Sequence, residues 1–189
     1  DNADESTPLM PPPPNGLSWL DSSVEHTPQA VSLNARLNLG LPDAVQAVLE
    51  KGVALHFVWH ARVVQRRWYW TDKVLGERSR TYRLAYQPLS SRWRLSLLTG
   101  DRADTGLRSH LNQNFDRLSE AVAAMVRIND WQISAPIKAD VLEDAQLEWG
   151  FKLDLGQLPK PLQIGLANSD VWRIEWSQIQ RIPAQEAAP

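Results

Sequence analysis

The sequence predicts a single α+β domain, built mainly from a curved antiparallel β-sheet of about seven strands with one short and one long helix packed on it. Three observations lead to this fold class. Apolar and polar residues alternate through most of the chain, the nine tryptophans fall mainly on the apolar side of that alternation, and short turns separate successive strands. A chain of 189 residues is long enough for one such core.

Both ends of the chain are predicted to lie outside this core. Residues 1–28 combine acids, serines and threonines with the run Pro11-Pro12-Pro13-Pro14, and no Lys or Arg occurs in the first thirty residues. Such a composition buries too little apolar surface to offset its ordering entropy, so we expect an extended tail. The proline run favours a stiff spacer, and segments of this kind also dock in aromatic grooves of partners. The domain is expected over residues 29–180, followed by a second tail over residues 181–189.

The first two elements of the domain follow from a change of period. Residues 31–39 alternate strictly between apolar and polar side chains, which predicts a strand with one buried face. The stretch Leu41-Pro42-Asp43 then places a proline at the first helical position and an acid in the first turn. Apolar residues follow at helical spacing until Lys51-Gly52, so we predict a short helix of about 9 or 10 residues.

A long strand is predicted over residues 53–71. Its apolar residues fall at odd positions at first, but the large aromatic residues Trp68 and Trp70 fall at even positions. A slip of one residue sends side chains to the opposite face of a sheet. We therefore predict a β-bulge within residues 64–67, which would return Trp68 and Trp70 to the core face.

A hairpin and a long helix are predicted next. Residues 82–86 and 93–97 alternate in the manner of strands, and the Pro- and Ser-containing residues 88–91 between them predict the turn. Residues 107–128 carry a stripe of apolar residues at helical spacing, which predicts a helix of about 20 residues that lies on the sheet.

The last elements are again predicted as strands. Residues 133–139 and 147–155 are both alternating, and we expect them to pair through a turn near residues 142–144. A final strand is expected where Trp172, Ile174 and Trp176 recur at every second position.

The sequence offers no group of residues that predicts an enzyme. It contains no cysteine, which excludes disulfides, thiolate nucleophiles and cysteine-ligated zinc. Neither a G-x-S-x-G nucleophile motif nor a Gly-rich phosphate-binding motif occurs. His56 and His60 would lie about 13 Å apart on a strand, which is too far for one metal ion. The acids within residues 143–154 are explained more simply by a solvated turn and strand face than by a glycosidase pair. We therefore expect no catalytic residue, no metal and no cofactor.

One charge feature points to a binding surface. Residues 61–94 contain nine basic and two acidic residues, although the whole chain carries a net charge of -2. This excess could attract an acidic partner, anionic lipid or the acidic tail of the protein itself, or it could protect a wet sheet face from edge pairing. The net charge is too small for a dedicated nucleic-acid-binding protein, so we expect no nucleic acid. The candidate interaction residues are Arg62, Arg66, Arg67, Tyr69, Asp72, Arg83, Arg92 and Arg94.

Several motifs together resemble a known bacterial family. They are "LPDAVQAVLEKGVALHF", "RRWYWTD", the spacing Leu84-x-Tyr86-x-x-Leu89-x-x-x-Trp93-Arg94, the segment from Phe151 to Gln163, and Trp172-x-x-x-Trp176. In this combination, over about residues 30–178, the chain resembles the family called domain of unknown function 4390. Within those motifs, the family-matching residues that we interpret as structural are Trp68, Trp70, Pro159, Pro161 and Gln163.

The resemblance implies a place in the cell envelope rather than a chemical activity. Members look like exported envelope proteins of Gram-negative bacteria whose leader is removed, and they are often encoded beside a membrane sensor kinase of the nitrogen-regulation type. We therefore expect a non-enzymatic periplasmic domain with an envelope protein as its partner, acting in interaction, sensing or assembly. The alternative is a carrier of an apolar ligand or lipid, held in a cavity between the curved sheet and the helix of residues 107–128.

Overall fold

The computed structural model describes residues 16–99, 109–166 and 168–187. Within these residues the chain forms a single domain of nine strands and three α-helices, which confirms the α+β class with slightly more strands than expected. In chain order the elements are β1 (Leu17–His26), β2 (Val31–Leu39), α1 (Asp43–Glu50), β3 (Leu55–Gln65), β4 (Lys73–Gln87), β5 (Arg92–Thr99), β6 (Ser109–Phe115), α2 (Leu118–Met125), β7 (Arg127–Ser134), β8 (Ala145–Leu153), α3 (Lys160–Leu166) and β9 (Glu175–Arg181).

The strands form two antiparallel sheets that share one hydrophobic core. The smaller sheet has the order β1-β2-β7, and the larger has the order β6-β5-β4-β3-β8-β9. Buried residues of both sheets, of α1 and of α2 belong to one continuous cluster. The single curved sheet of the sequence prediction is therefore replaced by two sheets whose apolar faces pack together.

β3 is the central strand of the larger sheet, and its alternation was predicted correctly. Its apolar face, from Leu55 to Val63, is buried, and the strand pairs with β4 on one side and β8 on the other. Phe57 stacks on Phe151 with ring centroids 5.7 Å apart, and Trp59 stacks on Trp149 at 5.8 Å. These cross-strand aromatic pairs form the centre of the core.

The first predicted strand and helix are also confirmed. β2 buries each of its odd-numbered residues, as the alternation requires. α1 begins directly after Pro42, which occupies the N-cap, and Val45 and Leu49 are its buried residues. Gly52 follows the C-cap with a φ of +94°, a left-handed conformation that glycine adopts without strain, so it ends the helix.

The prediction of an N-terminal tail over residues 1–28 is wrong for the part that the structure describes. β1 pairs with β2 along its length, with Leu17 opposite Leu39 and His26 opposite Val31. Leu17 is buried, and so is His26. Because the wet face of this strand carries Ser, Asp and Glu, its composition resembled a tail. The proline run predicted as a spacer lies outside the described residues.

The boundary predicted for the C-terminal tail is wrong as well, because His26 binds the residues that follow β9. The Ile137 backbone N–H donates to Nε2 of His26 at 3.0 Å, so Nδ1 carries the proton and donates to the Pro183 carbonyl at 2.8 Å. The Glu186 N–H donates to the His26 carbonyl at 2.7 Å, and Ile182 is buried. One buried imidazole therefore joins β1, the β7–β8 connection and the chain after β9.

The helix predicted over residues 107–128 is not present. Residues 109–115 form β6, which pairs with β5, and only residues 118–125 are helical, as α2. Leu111 is exposed, whereas Val122 and Met125 are buried. The apolar spacing fitted a helix, but Ser and Asn are weak helix formers, and the backbone of this stretch is paired in the sheet instead.

One of the two predicted hairpins is confirmed and the other is wrong. β4 and β5 form the expected hairpin, with Tyr86 opposite Trp93. β7, however, pairs with β2 in the smaller sheet, and β8 pairs with β3 and β9. The turn predicted near residues 142–144 is a short 3₁₀-helix on the connection between the two sheets. Trp172 lies in another 3₁₀-helix just before the last strand.

The two hydrogen bonds of the His26 side chain, which we call the latch, can be tested by unfolding. We expect His26→Ala to lower the free energy of unfolding by about 1–3 kcal/mol, because the buried Ile137 N–H and Pro183 carbonyl would each lose a partner. Chemical denaturation followed by tryptophan fluorescence measures this change. Gln29→Ala, an exposed substitution in the β1–β2 turn, serves as the control. Equal stability of the two variants would contradict the latch and restore the interpretation of residues 17–28 as a tail.

Candidate functional site

The segment "RRWYWTD" lies in the loop between β3 and β4, and its aromatic rings face solvent. We call residues 66–72 the aromatic loop. Trp68 is 96% exposed, Trp70 is 71% exposed and Tyr69 is 65% exposed. The Trp68 and Tyr69 rings meet edge to face with centroids 5.5 Å apart. The prediction that Trp68 and Trp70 return to the core face is therefore wrong.

The aromatic loop is exposed because the sheet ends before it. Gln65, the last residue of β3, lies opposite Lys73 at the start of β4 and opposite Ala145 at the start of β8. No strand of the described chain continues beyond this row to cover the next residues. The register shift expected within residues 64–67 falls instead between Val63 and Val64, where the extra residue is Leu75 on β4. The bulge therefore re-aims β4 rather than the tryptophans.

An open cleft of about 600 Å³ lies at the base of the aromatic loop. The loop is fixed to the 3₁₀-helix of residues 142–144 by a hydrogen bond from the Arg66 N–H to the Asp144 carbonyl at 2.8 Å. Side chains of both charge signs surround the cleft beside the aromatic rings. The lining residues are Gln65, Arg66, Arg67, Trp68, Tyr69, Asp72, Glu143 and Asp144.

The cleft contains side chains that can form hydrogen bonds but have no side-chain partner among the described residues. None of the four ion pairs among the described residues involves Arg66, Arg67 or Asp72. No described residue accepts a hydrogen bond from the indole of Trp68 or of Trp70. The site can therefore stack against a ligand and exchange hydrogen bonds with it, which is the chemistry of binding.

The eight candidate residues do not form one continuous surface. Arg66, Arg67, Tyr69 and Asp72 gather at the aromatic loop. The other four lie on the outer face of the larger sheet, and three of them have partners there. Arg62 pairs with Glu148 at 2.6 Å, Arg92 pairs with Asp116 at 3.1 Å, and Arg94 contacts Asn114 at 3.5 Å. Arg83 is exposed and lies opposite His56. The basic excess of residues 61–94 is thus spread along the length of β4.

A second, larger groove of about 780 Å³ crosses the outer face of the same sheet. Two of its lining residues, His60 on β3 and Ser177 on β9, are the strand partners of Gly150 on β8. A Cβ at Gly150 would overlap the His60 imidazole, so the ring lies across the glycine. The Arg62–Glu148 pair borders one end of the groove and Lys152 the other.

Two histidines on this face have lowered pKa values. Partial burial lowers the pKa of His60, and the nearby charges of Lys152 and Arg62 lower it further, against a smaller opposing effect of Glu77. Partial burial and the charge of Arg83 likewise lower the pKa of His56, and its Nδ1 is buried with no hydrogen-bond partner. Both shifts favour the neutral form of the imidazole.

The arrangement lacks the contacts of a catalytic or metal centre within the described residues. No histidine side chain described there bonds to a serine, a threonine or a carboxylate. No group of three or more His, Asp or Glu residues in that part of the chain is placed to hold a metal ion. None of the helices it contains is long and apolar enough to span a membrane.

The family-matching segment after β8 is a structural clamp. The Pro159 carbonyl accepts hydrogen bonds from the Leu162 and Gln163 N–H groups at the start of α3. The Gln163 side chain donates to the Gly156 carbonyl at 3.0 Å and to the Leu158 carbonyl at 2.6 Å. These bonds close the segment around Leu158, which is buried in the core. The geometry supports the structural interpretation of Gln163.

Sequence reasoning misassigned the two tryptophans and overlooked the acids that face them. Three consecutive aromatic residues cannot all lie on one face of a strand, and this break in alternation was the available signal that residues 68–70 leave the sheet. Glu143 and Asp144 are exposed, but they lie in a 3₁₀-helix rather than in the expected hairpin turn. Their position beside the aromatic loop depends on the pairing of β3 with β8, which the local sequence does not reveal.

Comparison with known proteins shows the family of the chain. The sequence model of the family described as "Domain of unknown function (DUF4390)" matches residues 16–182, which includes β1 and the residue that follows β9. No curated protein and no solved structure matches the chain.

The two histidines predict a pH dependence of stability. In the unfolded chain each histidine takes up a proton near pH 6.5, whereas in the folded protein the lowered pKa values delay that uptake. The unfolded state therefore binds more protons as the pH falls below 6.5, and the folded state loses stability there. We expect His60→Gln to lose less stability than the wild type between about pH 7.5 and about pH 5.5. Denaturation midpoints measure this difference, and identical losses in both proteins would contradict it.

The clamp after β8 gives a second stability prediction. We expect Gln163→Ala to reduce the free energy of unfolding by about 1–2 kcal/mol, because two side-chain hydrogen bonds to backbone carbonyls are lost. Gln157→Ala, an exposed glutamine in the same segment, is the matched control and should be neutral within about 0.5 kcal/mol. If both variants unfold at the wild-type denaturant concentration, Gln163 is not a structural residue.

Proposed function

This chain belongs to the family of domain of unknown function 4390, whose sequence model covers almost all of the described fold. We propose that it is an exported, non-enzymatic interaction module of the cell envelope that binds a partner protein at the aromatic loop. The single observation that supports this proposal is the exposure of Trp68, Tyr69 and Trp70 beside Arg66 and Arg67.

The composition of the aromatic loop is that of a protein-binding hot spot. Trp, Tyr and Arg are the residues whose removal most often weakens protein complexes, because they combine a large apolar surface with a polar end. Five such residues in succession form the segment from Arg66 to Trp70. The loop also projects from the end of the β3–β4 hairpin, where nothing in the described chain obstructs an approaching partner.

The resemblance to the family supports the envelope location and the kind of partner. Its members look like exported proteins encoded near a membrane sensor kinase, so an envelope protein of that system is the partner we propose. The carrier alternative has lost the element on which it depended, because helix 107–128 is absent. The shorter helix α2 packs directly on the core, since the Trp59 indole N–H donates to the Met125 carbonyl at 2.9 Å and Met125 is fully buried.

The proposal predicts a partner that contacts the aromatic loop specifically. A photo-crosslinking amino acid placed at position 70, in the full chain and in the native host, should give a discrete protein adduct. The same amino acid at position 89 should not, although Leu89 is fully exposed on the β4–β5 turn at the opposite end of β4. Adducts that are identical at both positions, or absent at position 70, would contradict the proposal.

The purified partner then allows a quantitative test. We expect Trp68→Ala with Trp70→Ala to weaken binding about thirtyfold or more, which corresponds to about 2 kcal/mol, the usual minimum effect of a hot spot. Leu89→Ala with Ile164→Ala removes two other exposed apolar side chains and should leave the affinity within about twofold. Both double variants should unfold like the wild type, because all four side chains are exposed.

A further inference from the structure

The chain contains a segment whose chemistry complements the aromatic loop. Residues 8–15 read Pro-Leu-Met-Pro-Pro-Pro-Pro-Asn and carry no charged side chain. They lie outside the described residues. Proline has no backbone N–H, so a proline run presents carbonyl acceptors without the matching donors. Such runs favour the polyproline II conformation, which is recognised by clefts lined with aromatic rings.

The aromatic loop offers the donors that such a segment needs. The guanidinium groups of Arg66 and Arg67 and the indole N–H groups of Trp68 and Trp70 can only donate hydrogen bonds. None of these four side chains donates to another described residue. The rings beside them provide flat apolar surface for the proline side chains.

The charges around the cleft favour an uncharged ligand. Asp72, Glu143 and Asp144 stand beside Arg66 and Arg67, so the carboxylates offset the positive charge of the guanidinium groups. A strongly acidic peptide or an anionic lipid surface would meet these carboxylates and be repelled. Residues 8–15 avoid that repulsion because they have no charge.

The strand pairing places the aromatic loop far from Leu17, the first residue of β1. β4 passes so close to β7 at Gly76 that a Cβ there would touch Ser134, and Ser134 pairs with Val31. The loop therefore lies near the His26 end of β1, because His26 pairs with Val31. Leu17 lies at the other end of β1, about 30 Å away at about 3.3 Å per residue.

That distance exceeds the reach of the run. Pro11, its most distant consecutive proline, is six residues before Leu17, which spans about 19 Å in a polyproline II conformation at about 3.1 Å per residue. We propose that the aromatic loop of one copy binds residues 8–15 of a second copy. This inference rests on the proposed function, because it uses the same binding loop, and it adds a second copy of the chain as a further partner of that loop.

The contact joins two different surfaces, so each copy has one loop and one proline run to offer. Such head-to-tail contacts produce open chains or closed rings, and the smallest ring is a dimer in which each copy's loop holds the other copy's run. The full-length protein should therefore form assemblies that grow with concentration, as measured by sedimentation velocity. A loop variant, Trp68→Ala with Trp70→Ala, and a run variant, with Pro11, Pro12, Pro13 and Pro14 all replaced by serine, should each weaken self-association about tenfold or more.

Mixing the two variants gives the sharpest test. The loop variant keeps its proline run and the run variant keeps its loop, so an equal mixture has one intact contact and should form dimers that go no further. Each variant alone should remain monomeric at the same concentration. Leu89→Ala with Ile164→Ala should assemble like the wild type. Recovery of dimers also shows that both variants are folded.

A synthetic peptide of residues 6–16 provides an independent measurement. It should change the tryptophan fluorescence of the run variant and have no such effect on the loop variant. The inference is overturned if the wild type stays monomeric, the mixture forms no dimer and the peptide fails to bind at about 1 mM. In that case a partner that still crosslinks at position 70 would leave the proposed function intact. Self-association without any adduct at position 70 would show that the copies associate through another surface, and it would contradict both proposals.

Discussion

The fold depends on one constraint, which is that β3 must bury a complete apolar face while it pairs on both edges. Phe57 and Trp59 meet the facing rings of β8, so the register of β3 against β8 is fixed by side-chain packing as well as by backbone hydrogen bonds. The Trp59 indole extends this constraint, since its N–H donates to the Met125 carbonyl at the end of α2. A slip of one residue in β3 would expose these rings and leave that carbonyl without its donor.

The parts of the fold that the sequence predicted correctly are those decided by local alternation. In β2, β3 and the β4–β5 hairpin, successive side chains report directly which face is buried, because a strand has a period of two. The prediction for residues 107–128 failed because the spacing of Phe115 and Val122 fits one long helix as well as it fits a strand followed by a helix. Hydrogen bonding to β5 decides between these two structures. β5 lies some 15 residues earlier in the sequence, so the spacing of apolar residues within 107–128 gives no information about this pairing.

The candidate site was only partly predictable for the same reason. The composition of residues 66–70 indicated a binding surface or a core, and sequence alone could not decide between them. The structure distinguishes the two at the row of Gln65, Lys73 and Ala145, where β3, β4 and β8 have their ends side by side. The sheet ends at this row, so it determines that the tryptophans are exposed, and it also brings the acids of residues 142–144 beside the loop. Its members come from three separate parts of the chain.

The exposed rings are difficult to explain as a requirement of folding. Burial of a large apolar side chain stabilises a protein by about 1.5–3 kcal/mol, and Trp68 and Trp70 gain little of this because they face water. A hairpin can be closed by short polar residues without any aromatic surface. Exposed apolar patches also promote unwanted association, so they are a disadvantage unless another molecule covers them. In the proposed function, the stabilisation from these rings is gained when the partner binds, and the attachment of the loop through Arg66 and Asp144 limits the entropy lost in that step.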